Sequence, residues 1–293
     1  MSDECLLVLD EGTTSTRAMV YTPQGARIAL AQRPLEQHYP RPGWVEHDPR
    51  EIWDATLACA RAAIDQAGGV DRIAAIGITN QRETVVAWDR QSGQPLGRAL
   101  VWQDRRTASL CEALRAAGHE DVVQARTGLL LDPYFSATKM AWMLRHVPEV
   151  ASAGARLAMG TIESWLVWKL TGGAHLSDAT NASRTSLLAL DGATWDAGLA
   201  DLFGVPLAPL PDVVACAGPI GLTRPELFGR ALPITGMAGD QQAATLGQGC
   251  LQPGETKATF GTGAFVLTNT GTALPRSAHR LLGTVLCDMG GVR

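Results

Sequence analysis

The sequence predicts an α/β protein built on a mixed sheet flanked by helices. Three observations carry that expectation. Three short apolar runs joined by tight turns open the chain, a well-capped amphipathic helix follows, and a continuous apolar run then leads into further helical stretches. At 293 residues the chain is long for one domain, which suits one large domain plus part of another.

Leu6 to Asp10 reads as a buried strand, the Gly and hydroxyl run Gly12-Thr13-Thr14-Ser15-Thr16 as a tight turn, and Ala18 to Tyr21 as a returning strand. Ala26 to Arg33 supplies a third strand. Asp48 then caps a helix with Pro49 at its first position and Glu51 where a capping box wants an acid. Trp53, Leu57, Ala60, Ile64 and Ala67 make one apolar stripe along it, and Gly68-Gly69 ends it. Ile73 to Thr79 reads as a strand buried on both faces, followed by strands at Val85–Trp88 and Ala99–Trp102. Helices are expected at 104–117, at 136–146 with Ser136 as cap, and at 161–171, capped by Thr161 and stopped at Gly172-Gly173. This order matches the ribonuclease H-like, actin-type ATPase architecture by analogy. A short internal echo, a Gly-Thr turn and apolar strand in Thr259–Thr268, fits its two related lobes.

Composition narrows the classes. Hydrophobic residues make up 46% and charged residues 18%, an ordinary globular balance. A net charge of −4 gives no long-range attraction for nucleic acid or an anionic membrane. No apolar run approaches a membrane span, and five apolar residues near the N-terminus are too few for a signal sequence. The six cysteines, at 5, 59, 111, 216, 250 and 287, show no zinc-type spacing and suit a reducing cytoplasm. No histidine–cysteine metal site is expected.

Four places can carry chemistry. The first turn offers backbone N–H groups, hydroxyls and Arg17, with Asp10 at its base, the parts that hold a polyphosphate and Mg²⁺; an ordinary solvated hairpin is the other reading. Arg82 and Glu83, in a loop at a strand end, offer donors and an acceptor suited to a small polyol, or else form a solvated turn. Tyr134 lies just outside a helix and Trp102 at a strand end, where both can wall a cleft or simply pack. Asp240 stands at a strand-to-helix junction, either as an N-cap or as a general base for an attacking hydroxyl, with Gln241 orienting it.

Eight motifs together resemble the FGGY carbohydrate kinases, and within them the glycerol kinases. They are Asp10–Arg17, Gly43–Pro49, Gly77–Glu83, Val101–Arg106, Asp132–Lys139, Thr180–Arg184, Gly239–Gln242 and Phe260–Gly263, in the family's order from about residue 5 to the last residues. The resemblance implies ATP and Mg²⁺ as cofactors, glycerol as substrate and sn-glycerol 3-phosphate as product. It gives Thr13, Thr14, Ser15, Arg17 and Thr262 to the nucleotide phosphates and Asp10 to the metal. It gives Arg82, Glu83, Tyr134, Asp240 and Gln241 to the glycerol hydroxyls, Trp102 and Phe265 to its carbon chain, and the base role to Asp240. Residues 1–248 would form the first lobe and 249–293 the start of a second, truncated one. The expected partners are glycerol and ATP, with no nucleic acid and no membrane span, and a homo-oligomer is left open.

Two departures from the family pattern stand out. Glu11 occupies a position where the family usually has Gln, and an added charge beside phosphates would weaken nucleotide binding unless Arg17 or the metal offsets it. The chain also stops soon after the second lobe begins, so it is expected to be incomplete for catalysis alone. Two alternatives remain: another polyol or ketose kinase of the family, or a catalytically silent polyol-binding fragment. A ribonuclease H-like nuclease would want clustered metal-binding acids and a basic face, and neither is present.

Overall fold

The computed structural model describes residues 4–260, 264–274 and 276–290. The chain opens with β1 (Cys5–Glu11), β2 (Ser15–Tyr21) and β3 (Arg27–Pro34), then a two-residue β4 (Glu46–His47). Alternation in β1 turns Cys5, Leu7, Leu9 and Glu11 to the core and leaves Leu6, Val8 and Asp10 on the other face. Helix α1 (Pro49–Gln66) is capped by Asp48, whose carboxylate accepts from the Arg50 N–H. It buries Ile52, Trp53, Thr56, Cys59, Ala60 and Ala63 against β1–β3. Next come β5 (Ile73–Asn80), β6 (Val85–Asp89), β7 (Ala99–Leu100), α2 (Ala108–Ala116), α3 (Glu120–Thr127), α4 (Ser136–His146) and α5 (Pro148–Ser152). Then follow β8 (Leu157–Thr161), α6 (Ile162–Thr171), β9 (Leu176–Asp178), α7 (Ala179–Ala182), α8 (Ala197–Phe203), β10 (Asp212–Val214) and β11 (Ala217–Leu222). The last elements are α9 (Pro225–Phe228), β12 (Pro233–Gly239), α10 (Asp240–Gly247) and the hairpin β13 (Thr256–Phe260) and β14 (Ala264–Thr268).

The expected mixed sheet is present. Its six strands run β11-β12-β5-β1-β2-β3, with β1, β5 and β12 parallel and the outer pairs antiparallel. Glu11 pairs with Asn80 and Asn80 with Gly239, so the three parallel strands end together at one edge. Ligands in open α/β sheets bind beyond such carboxyl ends. A second, antiparallel sheet, β4-β7-β6-β8, stands beside the first. Its β6 is buried along its whole length: Val86 and Trp88 join the core formed by the central sheet, α1 and α6, while Val85 and Ala87 join a second core around α4 and α8. The apolar run at 85–88 is therefore the partition between two cores, which is why it does not alternate with polar residues.

Five expectations are corrected. The turn expected over Gly12–Thr16 is shorter, because β2 begins at Ser15 and Thr16 and Arg17 already pair with Glu11 and Asp10. The helix expected at 104–117 begins only at Ala108, because the Asp104 carboxylate accepts from the Val45 and Arg106 N–H groups and pairs with the Arg106 guanidinium, holding 104–107 in turns. The Glu51 carboxylate does not close a capping box; it accepts from the Glu36 N–H at 2.9 Å and ties the loop after β3 to α1. Phe135, not Ser136, is the N-cap of α4, and the Ser136 hydroxyl donates instead to the Glu83 carbonyl at 3.0 Å. The strand expected at Ala99–Trp102 stops at Leu100, and Trp102 lies past its end. Among the described residues no helix is long and apolar enough to cross a membrane.

Candidate active site

The edge where β1, β5 and β12 end gathers most of the singled-out side chains. Asp10 is opposite Thr79, and Thr79 is opposite Ala238, so Asp10 and the end of β12 lie two strand spacings apart, about 10 Å. The Arg17 guanidinium, on the adjacent strand, donates to the Asp10 carboxylate at 3.3 Å. Burial raises the Asp10 carboxyl above the usual carboxylate range, Arg17 opposes that, and the charge of Asp240 across the gap adds to it. The two acids are thus close enough for each charge to be felt by the other.

Arg82 is the centre of the second group. It follows β5, and its Nε donates to Asp240 Oδ1 at 3.0 Å while Nη2 reaches the Tyr134 hydroxyl at 3.4 Å. Its side chain is 5% exposed and that of Asp240 38%, so the pair presents the acid outward and the cation from below. Gly239 makes this possible, since a Cβ there would sit 2.6 Å from Arg82 Cγ and Cδ. Burial lifts the Asp240 carboxyl, the Arg82 charge pulls it back and Glu83 raises it again, for a net upward shift. An acid so placed is better able to take a proton than an ordinary surface carboxylate. Asp240 is the first residue of α10 and not its cap; the cap is Gly239. Tyr134 is pushed up to about 12 by burial and by Glu83, so its phenol keeps its proton while its oxygen accepts from Arg82.

The apolar wall is three rings. Trp102 packs edge-on against Tyr134 at 5.6 Å and against Phe265 at 6.5 Å, and the Arg82 guanidinium lies 5.9 Å from the Phe265 ring. The Trp102 indole N–H donates to the Thr13 hydroxyl at 2.9 Å, joining the ring wall to the first turn.

In that turn Gly12 N–H donates to the Ser15 carbonyl at 3.1 Å, and a Cβ on Gly12 would crowd the same oxygen at 3.0 Å. Thr14 is exposed, whereas Ser15 is buried and its hydroxyl accepts from Gln32 Nε2 at 3.0 Å. Gln241 is also turned inward, its amide oxygen accepting from Lys257. Thr262 lies outside the described residues. Glu11 does not face the phosphate side: strand alternation turns it to the core, where it is 1% exposed and accepts from Thr16 and Thr56. Burial raises its carboxyl to about 8, so near neutrality it carries a proton, and the expected repulsion of phosphates does not arise.

Three supporting residues escaped the sequence reading. Lys139 is fully buried and donates to the carbonyls of Pro133, Tyr134 and Phe135, pinning the loop that carries the phenol. Arg184 Nε donates to Glu83 Oε1 at 2.7 Å, both side chains being almost wholly buried. Gly239 leaves room for Arg82. Lys139 and Arg184 stand inside motifs that marked the family, and that was their only signal. A surface hollow of about 320 Å³, lined by Arg106, Trp142, Arg145 and His146 among others, shares no residue with this cluster.

Comparison with known proteins extends the picture. Residues 5–247 match the N-terminal domain of the FGGY family of carbohydrate kinases. The chain is 55% identical over 292 residues to a glycerol kinase of Cereibacter sphaeroides, covering 98% of this chain and 59% of that protein. It is 55% identical over 291 residues to a glycerol kinase of Rhodospirillum rubrum, again covering 98% and 59%. The chain thus spans about 59% of the length of these curated relatives. Among solved structures it superposes on Plasmodium falciparum glycerol kinase with ADP at a TM-score of 0.92 and 35% identity, covering 97% of this chain and 58% of that one. Xylulose kinase from Rhodospirillum rubrum gives a TM-score of 0.87 at 29% identity, covering 95% and 57%. The mixed sheet with flanking helices is the ribonuclease H-like fold that these actin-like kinases share.

Proposed function

Because the chain belongs to the FGGY family of carbohydrate kinases, we propose that it forms the polyol-binding lobe of an ATP-dependent glycerol kinase, yielding sn-glycerol 3-phosphate. The observation that carries this reading is the contact of Arg82 with both Asp240 and Tyr134 beneath the Trp102 and Phe265 rings. Charged and hydroxyl groups of both hydrogen-bonding kinds on one side, and rings on the other, match a three-carbon triol. A site built to bond hydroxyls rejects analogues that lack them far more strongly than it rejects an extra methylene.

In this reading Arg82, Glu83 and Tyr134 orient glycerol through its hydroxyls, with Trp102 and Phe265 against its carbon chain. Asp240 takes the proton of the attacking hydroxyl, a contribution of ~10²- to 10⁴-fold. Gln241 orients it beside the glycerol hydroxyls, its N–H donating to Asp240 Oδ1 at 2.7 Å. The turn with Thr13 and Thr14 and the start of β2 with Ser15 and Arg17 receive the nucleotide phosphates, to which the family resemblance also gives Thr262. Asp10 is one carboxylate, raised by burial and by Asp240 with Arg17 opposing, whose charge a divalent cation would neutralise. Asp10 would therefore hold Mg²⁺, which supplies charge neutralisation for the transferred phosphoryl group. What remains for the protein is mainly positioning. Residues 1–248 are assigned to the first lobe and 249–293 to the start of the second, a division supported by the family match ending at residue 247. The six cysteines form no disulfide among the described residues, which suits a cytoplasmic setting.

Asp240→Asn in the full-length protein tests the base assignment: turnover should fall by at least ~10²-fold, and near-normal turnover would refute it. Titration calorimetry of the present chain should give weak glycerol binding and negligible ATP binding; micromolar ATP affinity would contradict the expectation that further residues hold the adenine. The similarity to a xylulose kinase keeps a second reading, a different polyol or ketose substrate, which a turnover panel of polyols separates.

A further inference from the structure

The segment Thr180–Thr185 takes no part in the proposed chemistry, yet it touches the segments that carry Arg82, Glu83, Tyr134 and Asp240. The Thr180 hydroxyl accepts from the Gly239 N–H at 2.8 Å, one residue before Asp240. The Asn181 amide exchanges hydrogen bonds with the Asn80 amide, at 3.0 and 3.1 Å, where β5 ends and the Arg82 loop begins. Arg184 Nε donates to the Glu83 carboxylate at 2.7 Å. The Thr185 carbonyl accepts from the Ala137 N–H at 2.8 Å, in the first turn of the helix that follows Tyr134.

Arg184 has the most to do. Glu83 is 1% exposed and holds a left-handed backbone conformation, with φ of +64°, that a non-glycine residue adopts only when its surroundings impose it. A buried carboxylate needs a partner cation. Arg184 provides one and also sets its guanidinium 5.5 Å from the Tyr134 ring and 5.1 Å from the Phe135 ring. One planar group thus fixes both the acceptor and the phenol assigned to glycerol. The Ser136 hydroxyl, donating to the Glu83 carbonyl, ties the same two loops from the backbone side.

From this convergence we infer that Arg184 is a positioning residue for polyol specificity, aligning the Glu83 carboxylate and the Tyr134 ring without touching the substrate. The inference rests on the polyol assignment above. Its reach is selective, because Arg184 contacts the glycerol group and none of Asp10, Thr13, Thr14 or Arg17.

Arg184→Lys keeps the charge but loses the planar fork and the ring-facing surface. In the full-length enzyme KM for glycerol should rise ~10- to 100-fold, with KM for ATP changing less than about twofold. Discrimination against 1,2-propanediol, which lacks one terminal hydroxyl, should weaken in parallel. A purely structural role would lower the melting temperature and move both KM values together or neither, and either result in folded protein overturns the inference. If Arg184→Lys does not fold, Glu83→Gln is compared with the Glu83→Gln/Arg184→Gln pair, which leaves no stranded charge. The pair should weaken discrimination against 1,2-propanediol further than Glu83→Gln alone, because the Tyr134 ring also loses the guanidinium that faces it, whereas a pair indistinguishable from Glu83→Gln overturns the inference. A wild-type enzyme inactive on glycerol defeats the substrate assignment and this inference with it. Wild-type activity on glycerol that Arg184→Lys leaves unchanged defeats this inference alone.

Discussion

Glu11→Gln should flatten part of the pH dependence of folding stability. In the folded chain this carboxyl is buried against Thr16 and Thr56, its other oxygen has no partner, and burial raises it from 4.5 to about 8. The sign follows from proton counting. Between these two values the folded state keeps a proton that the unfolded chain has released, so stability is greatest below pH 4.5 and declines as pH rises toward 8. Each pH unit in that window is worth about 1.36 kcal/mol, which gives a deficit on the order of 3 kcal/mol at pH 7. Glutamine keeps the acceptor for the two threonines and has no proton to lose. Its amide nitrogen, placed where the unpartnered oxygen lies, offsets some of the gain at a cost of about 1–3 kcal/mol, but that cost does not vary with pH. Urea unfolding of wild type and Glu11→Gln from pH 5 to 8 isolates the effect, because other titrating groups largely cancel in the difference. The difference should tilt in favour of glutamine by more than about 2 kcal/mol across that range. A difference that stays constant with pH would refute both the buried protonated state and the orientation of Glu11 into the core.

Two further substitutions probe the site's supports. Gly239→Ala forces a methyl group against Arg82 Cγ and Cδ, which Asp240 and Tyr134 already hold in place. Glycerol KM in the full-length enzyme should rise ~10- to 100-fold with a stability loss of about 1–3 kcal/mol; unchanged KM would mean that Arg82 moves freely. Lys139→Met removes the donor shared by three carbonyls, and thermal or urea unfolding should show a loss of about 2–4 kcal/mol together with weaker glycerol binding as Tyr134 loosens. Full stability in that variant would mean that the carbonyls find other donors.

The sheet was legible because its strands announce themselves locally. The first three runs, the helix capped by Asp48 and the apolar stretch ending at Asn80 each carry their own period and stop signal. Arg82, Tyr134 and Asp240 could be singled out because each stands at an element boundary, where side chains are free to leave the core. Failure came where a side chain overrode the local pattern. Asp104 held four residues in turns that looked helical, and Glu51 and Ser136 spent their polar atoms on distant backbone instead of caps. Glu11 is expected beside the phosphates, but strand alternation gives that face to Asp10 and turns Glu11 to the core. Lys139 and Arg184 were hidden for a deeper reason. Each acts through partners brought close only by tertiary folding, and Glu83 and Arg184 are 101 positions apart.

The placement of β12 between β5 and β11 has a consequence for synthesis. It is the last strand to enter the six-stranded sheet, and Asp240 follows immediately after it. A nascent chain that has released Arg82 but not Asp240 carries that cation without its acid, and β5 meanwhile shows the solvent an unpaired edge. Long-range closure of this kind is slow compared with local hairpin formation. Binding of a ligand that needs both Arg82 and Asp240 would then report that the sheet has closed.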